Sequence, residues 1–138
     1  MPAVETSIQT ALFARVVSLV LSPVHPVAWP NVNFTAPANK RYIRVAHLPN
    51  TTERLYIGSR EPHQHQGILQ VMVVAPLNSG EATPRAIAAA VADHFPADLR
   101  LVQDGVTVKI TKRPDIAAAL PTDTELQIPV SISYRAFK

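Results

Sequence analysis

Two of the chain's five histidines stand as His63-x-His65, in the stretch REPHQHQGILQVMVVAP. On an extended chain alternate side chains share a face, so both imidazoles could meet one metal ion. A catalytic zinc usually takes a third protein ligand. Glu53 and Glu61 are near in sequence, but the spacing selects neither. The pair therefore reads first as part of a polar connecting loop, residues 60–66. A metal-dependent hydrolase built on His63 and His65 is the alternative it leaves. His25, His47 and His94 stand singly. His94 falls at the end of a helical pattern, where an imidazolium would complement the helix dipole.

Other chemistries lack their residues. Cysteine is absent, which excludes disulfides, thiolate metal sites and a cysteine nucleophile. No G-x-S-x-G, P-loop or G-x-G-x-x-G occurs, and only four glycines are present. Asp93 and Asp98 flank Pro96 without a spacing that would pair them for acid–base work. The net charge is +3 and the basic residues are scattered. Lys40, Arg41 and Arg44 form the densest group, followed by Lys109, Lys112 and Arg113. A small nucleic-acid-binding module using the first group is a second alternative.

The elements that must position these residues are punctuated by 13 prolines. Each blocks helix continuation or a ladder hydrogen bond. Residues 5–21 carry Ile8, Leu12, Val16 and Leu19 at helical spacing, which predicts an amphipathic helix closed by Pro23. Within it, ALFARVVSLVL is broken by Arg15 and is shorter than the ~20 residues of a membrane span. The opening MPAVETS has no positive region of a signal peptide. No membrane association is therefore expected. Residues 23–39, with Pro23, Pro26, Pro30 and Pro37, read as an extended arm around Trp29 and Phe34. Trp29 is either an anchor for that arm or an interface hot spot.

Strands are expected at 42–48, near 54–58, and at 68–75 behind Gly67. Leu69, Val71 and Val73 line one face of the last of these. A second helix begins at Thr83-Pro84, buries Ile87, Val91 and Phe95, and ends at Pro96. Asp104-Gly105 joins 99–103 to 106–111 as a hairpin. IAAAL, 116–120, suggests one helical turn. Residues 126–134 alternate strictly, burying Leu126, Ile128, Val130, Ile132 and Tyr134 and turning Pro129 and Arg135 to water or a partner. Pro129 cannot donate to a ladder, which places this strand at a sheet edge or turns its nitrogen outward. The order α-β-β-β-α-β-β-β predicts an α+β fold. Two main helices pack on one face of a mixed, largely antiparallel β-sheet, in a single domain spanning 1–138. A hydrophobic content of 47% and a charged content of 17% suit such a domain.

PVAWPNVNFTAP (26–37) followed by YIRVAHLP (42–49) resembles the opening of phage tail terminator-like proteins, the minor tail protein U-like family. HQGILQVMVVAP, the DG hairpin and LQIPVSISYRA follow in the same order as in that family. A basic residue often precedes the family's glycine, where this chain has His65-Gln66. The resemblance implies a structural subunit of a long, non-contractile phage or prophage tail, with no catalytic residues, cofactor or metal. It implies a homo-oligomeric ring, typically a hexamer, that caps the tail tube, ends its polymerisation and presents a surface to the head-completion or connector protein. Assembly would take place in the bacterial host cytoplasm, with the product in the virion tail. DNA would pass non-specifically, and Lys or Arg in the lumen would favour it. Trp29, Phe34, Arg60, His63, His65, Pro129 and Arg135 are the candidate contacts to neighbouring subunits or tube.

Overall fold

The computed structural model describes residues 3–21, 24–54 and 63–137. In chain order the elements are α1 (Val4–Val17), β1 (Val27–Ala28), β2 (Tyr42–Arg54), β3 (His63–Pro76) and α2 (Ala82–His94). Then follow β4 (Arg100–Gln103), β5 (Val106–Ile110), β6 (Asp115–Ile116), β7 (Leu120–Pro121) and β8 (Glu125–Phe137). The 8-stranded sheet runs β1-β2-β3-β8-β5-β4, with β6 and β7 alongside β8. Only β1–β2 is parallel among these pairs. This is the expected α+β architecture.

One face of the sheet meets both helices. Ile8, Leu12 and Val16 of α1, Ile87 and Val91 of α2, and Phe95 just after α2 are buried against it. Leu69, Val71 and Val73 answer from β3, Val106, Val108 and Ile110 from β5, and Ile128, Val130 and Ile132 from β8. Strict period-two alternation in these strands supplies the apolar face. The alanines at 88 and 92 are also buried, which lets α2 lie close to the sheet.

Several local expectations change. α1 stops at Val17, because the Ser18 hydroxyl takes the Arg15 carbonyl (2.6 Å) and the chain turns there. The strands expected at 42–48 and near 54 are one strand, β2, with an irregularity between Pro49 and Thr52. Among the described residues, β2 has no outer neighbour beyond β1's short pairing with Ile43 and Arg44. A strand tolerates a proline such as Pro49 at such an edge. Residues 55–58 lie outside the described residues. Thr83 does not cap α2: the N-cap is Glu81, with no side-chain hydrogen bond. The 116–120 turn is not helical, since β6 and β7 pair with β8.

The largest correction concerns the last strand. β8 is central, with β3 on one side and β5, β6 and β7 on the other. Pro129 is therefore buried, not at a sheet edge. Its carbonyl accepts from the Ala117 N–H at 2.9 Å. In an antiparallel strand a residue's N and O point to the same side. The Pro129 nitrogen thus faces the interval between β6 and β7, where no ladder bond is missed.

Candidate functional site

Gly67, expected to open a strand, lies inside β3 opposite Tyr134 of β8. A Cβ there would stand 2.5 Å from the Tyr134 hydroxyl and 2.9 Å from the Leu48 carbonyl. The tyrosine therefore lies across the glycine. Its hydroxyl sits 2.6 Å from His47 Nε2, and His47 Nδ1 is 3.0 Å from Gln9 Oε1 on α1. The amide oxygen only accepts, so Nδ1–H donates to it and Nε2 accepts from the tyrosine. Burial lowers the His47 pKa and pushes that of Tyr134 up to about 12. Both groups are held neutral, which suits a fastening between α1, β2 and β8 rather than a nucleophile–base pair. His94 plays a similar part. Its Nε2–H donates to the Arg15 carbonyl (2.9 Å), and Arg15 Nε donates to the His94 carbonyl (3.0 Å). Burial first, and the nearby Arg15 charge, lower its pKa, outweighing the bond to the Arg15 carbonyl. A neutral imidazole linking the two helix ends thus replaces the expected imidazolium at the helix dipole.

The sheet face away from the helices is covered by the arm at its β1–β3 end, where Tyr42 and Val74 are buried with Phe34, and is open at its β4–β5–β8 end. There the register brings Arg100, Lys109 and Arg135 into one row across β4, β5 and β8, each directly opposite the next. Like charges directly opposite on adjacent strands destabilise a sheet. Lys109 has an ion pair with Asp98 at 3.3 Å, on the surface where such pairs count for little. Arg100 and Arg135 make no ion pair among the described residues. The row lines a cavity of about 490 Å³ with Thr107, Thr111 and Phe137. Sequence adjacency had grouped Lys109 with Lys112 and Arg113. Those two are neutralised elsewhere, by Asp115 (2.8 Å) and Asp93 (2.6 Å). Arg100 was missed altogether, because only the cross-strand register brings it to Arg135. Of the group Lys40, Arg41 and Arg44, Arg44 is engaged: it donates to the Tyr42 hydroxyl at 2.8 Å and lies 3.9 Å from Glu125.

At the other end of the sheet, Trp29 is half-buried against Phe13, ring centroids 5.0 Å apart, and Phe34 packs on Tyr42 at 4.9 Å. The arm is thus anchored by its aromatics. It also lines an open depression of about 570 Å³ with Asn31, Asn33 and Arg44. His63 and His65 are part of β3, not of a loop, and sit two residues apart on one strand. Their strand pairs with β2 at Arg54 and Thr52. Among the described residues no three His, Cys, Asp or Glu side chains could hold a metal ion. Arg60 lies outside the described residues. Arg135 is exposed in the cation row, away from Trp29 and Phe34. No helix among the described residues is long and apolar enough to cross a membrane.

Comparison with known proteins adds three findings. A family model described as phage tail terminator protein matches residues 7–134. A solved structure that bears no functional name is 28% identical, with a TM-score of 0.78, covering 96% of this chain and 94% of that one. A chain from the virion of a native gene transfer agent particle shares the fold at a TM-score of 0.63 and 14% identity, with all of both chains covered. No curated protein matches the sequence.

Proposed function

The chain belongs to the phage tail terminator family, and on that premise we propose that it caps the tail tube as a closed ring, acting by shape. Membership makes it a structural protein of a phage tail. The finer reading is that subunits form a ring, six being the number the resemblance suggests, over its single domain of residues 1–138. The ring ends tube polymerisation and offers its outer surface to the head-joining protein. Assembly takes place in the bacterial cytoplasm before the cap enters the virion, and the virion setting of the gene transfer agent relative is in keeping with that.

The observation that carries the ring is the pair of unlike sheet ends. A closed ring of one subunit type needs a heterologous contact, with two different surfaces that fit each other. β1 and β4 are the terminal strands of the sheet. Next to β1, Val20 and Val24 are 88% and 84% exposed; on β4, Val102 is 70% exposed. Exposed apolar side chains beside strand edges suit association with another chain. We assign Trp29 and Phe34 to the β1 end of that contact. Arg60, His63 and His65 are assigned to the tube or a neighbouring subunit, while Arg135 lies in the basic row of the open face.

Electron microscopy of the full chain mixed with the tail-tube protein tests this. Rings at tube ends and a shortened length distribution are expected. Tubes that grow unchecked, with bare ends, would overturn it. The metal-dependent hydrolase gains no support from any described side-chain cluster.

A further inference from the structure

The charges of the cation row on the open face work against the strand pairing they sit on. Arg100, Lys109 and Arg135 face one another across three adjacent strands, about 4.8 Å apart per step. Opposed like charges weaken the pairing they sit on. An arrangement that costs stability at consecutive positions is relieved when an anion lies across it. We infer that this row, with the Thr107 hydroxyl beside it, is a contact for the phosphate backbone of duplex DNA, made without sequence specificity.

The chemistry of the cavity selects this occupant. Its walls supply guanidinium, ammonium and hydroxyl groups, with Phe137 as the single large apolar side chain. Phosphate and sugar contacts use such donors and need no base readout. A docked protein segment would instead need a desolvated apolar anchor. The copy-to-copy contact proposed above uses the exposed valines beside β1 and on β4, a different chemistry from this row. Among the described residues Asp98 is the one acidic group paired with the row, through Lys109. It is exposed and can release the lysine to a stronger anion. The choice of DNA rests on the tail reading above, in which DNA is the polyanion that passes the cap.

The test uses the full chain and a labelled duplex of arbitrary sequence, with fluorescence anisotropy followed from low to moderate salt. Binding should be salt-dependent. The combined variant Arg100→Gln, Lys109→Gln, Arg135→Gln should weaken it about tenfold or more at low salt. The same variant should reduce the slope of log K against log salt by roughly 2–3, at about 0.9 per lost phosphate contact. A control with the same charge change, Lys40→Gln, Lys112→Gln, Arg113→Gln, should stay close to the unsubstituted chain. Equal loss in the control would overturn the site in favour of general charge. Equal competition by polyglutamate of matched charge would overturn it in favour of an acidic polypeptide. Circular dichroism of the row variant should show an unchanged fold and a Tm no lower than the starting protein, because repulsion is removed. Tube capping is scored on the same samples. A chain that caps tubes but ignores duplex overturns this inference and leaves the tail reading intact. A chain that binds duplex through the row but never caps tubes supports the site and overturns that reading.

Discussion

At the scale of the residue, Gly67 and Tyr134 act as one unit. The sequence shows a glycine before an apolar run and a tyrosine ending an alternating strand. Neither hints that the two are directly opposite, because cross-strand pairing is non-local. Gly67→Ala would drive a methyl into the Tyr134 ring and the Leu48 carbonyl, and the carbonyl belongs to a paired backbone that cannot swing aside. Destabilisation of about 1–3 kcal/mol is expected, as for overpacking in a core. Urea denaturation measures it. Tyr134→Phe keeps the ring over the glycine and removes the hydroxyl from His47. The His47 acceptor is then left without that partner, at about 1 kcal/mol. The same substitution should change the alkaline behaviour. In the fold the Tyr134 pKa is raised to about 12, against 10.0 when unfolded. Stability is fully present below pH 10 and lost as pH rises from there toward 12, where only the unfolded chain releases its proton. Tyr134→Phe should show a shallower loss over that window. Tyr42, also raised by burial, leaves a remainder.

At the scale of the element, what was legible depended on how local the signal is. The DG hairpin came out as read: Asp104 and Gly105 have φ of 51° and 78°, the positive pair of a type I′ turn. Ile87 and Val91 formed the buried stripe of α2, since helical spacing is set within a few residues, and Phe95 is buried just past the helix end. β8 was recognised as a strand from its alternation, yet its neighbours were not. The edge placement failed because a proline excludes only the ladder bond on its own side, and the break between β6 and β7 supplies a place for it. The cation row was hidden for the same reason: its members are far apart in sequence and adjacent only in register. Gly105 offers a clean contrast to Gly67. Nothing lies within 4 Å of a Cβ built there, so only backbone strain opposes a side chain. Gly105→Ala should therefore cost about 1 kcal/mol. In denaturant the midpoint should fall while the m-value stays unchanged, which separates a strained turn from a loosened fold.

At the scale of the whole molecule, two neutral histidines tie the layers together. His47 joins α1 to β2 and β8, and His94 joins the end of α2 to the end of α1. Their positions on an alternating strand and at a helix end were visible in the sequence, but their partners were not. Those partners lie at Gln9, Tyr134 and Arg15, on other elements. Burial lowers both pKa values below the ordinary 6.5. The unfolded chain therefore takes up protons first as pH falls. Stability from this source is complete above pH 6.5 and is lost as pH drops through each depressed value. Protonation of His47 turns Nε2 into a donor, so the bond with the Tyr134 hydroxyl must reverse its direction and a charge is placed in a half-buried site, which loosens the α1–sheet contact. Thermal unfolding followed from pH 8 down to pH 5 should show a constant Tm to about pH 6.5 and a decline below it. A double variant, His47→Gln with His94→Gln, should start from a lower Tm, because the fitted hydrogen bonds are lost, and then stay flatter across that interval. An equally steep acid decline in the double variant would place the proton uptake on other groups. Because both ties hold helices to the sheet, the acid loss should appear as one cooperative transition. Near-ultraviolet and far-ultraviolet dichroism should melt together at each pH, which the paired measurement checks directly.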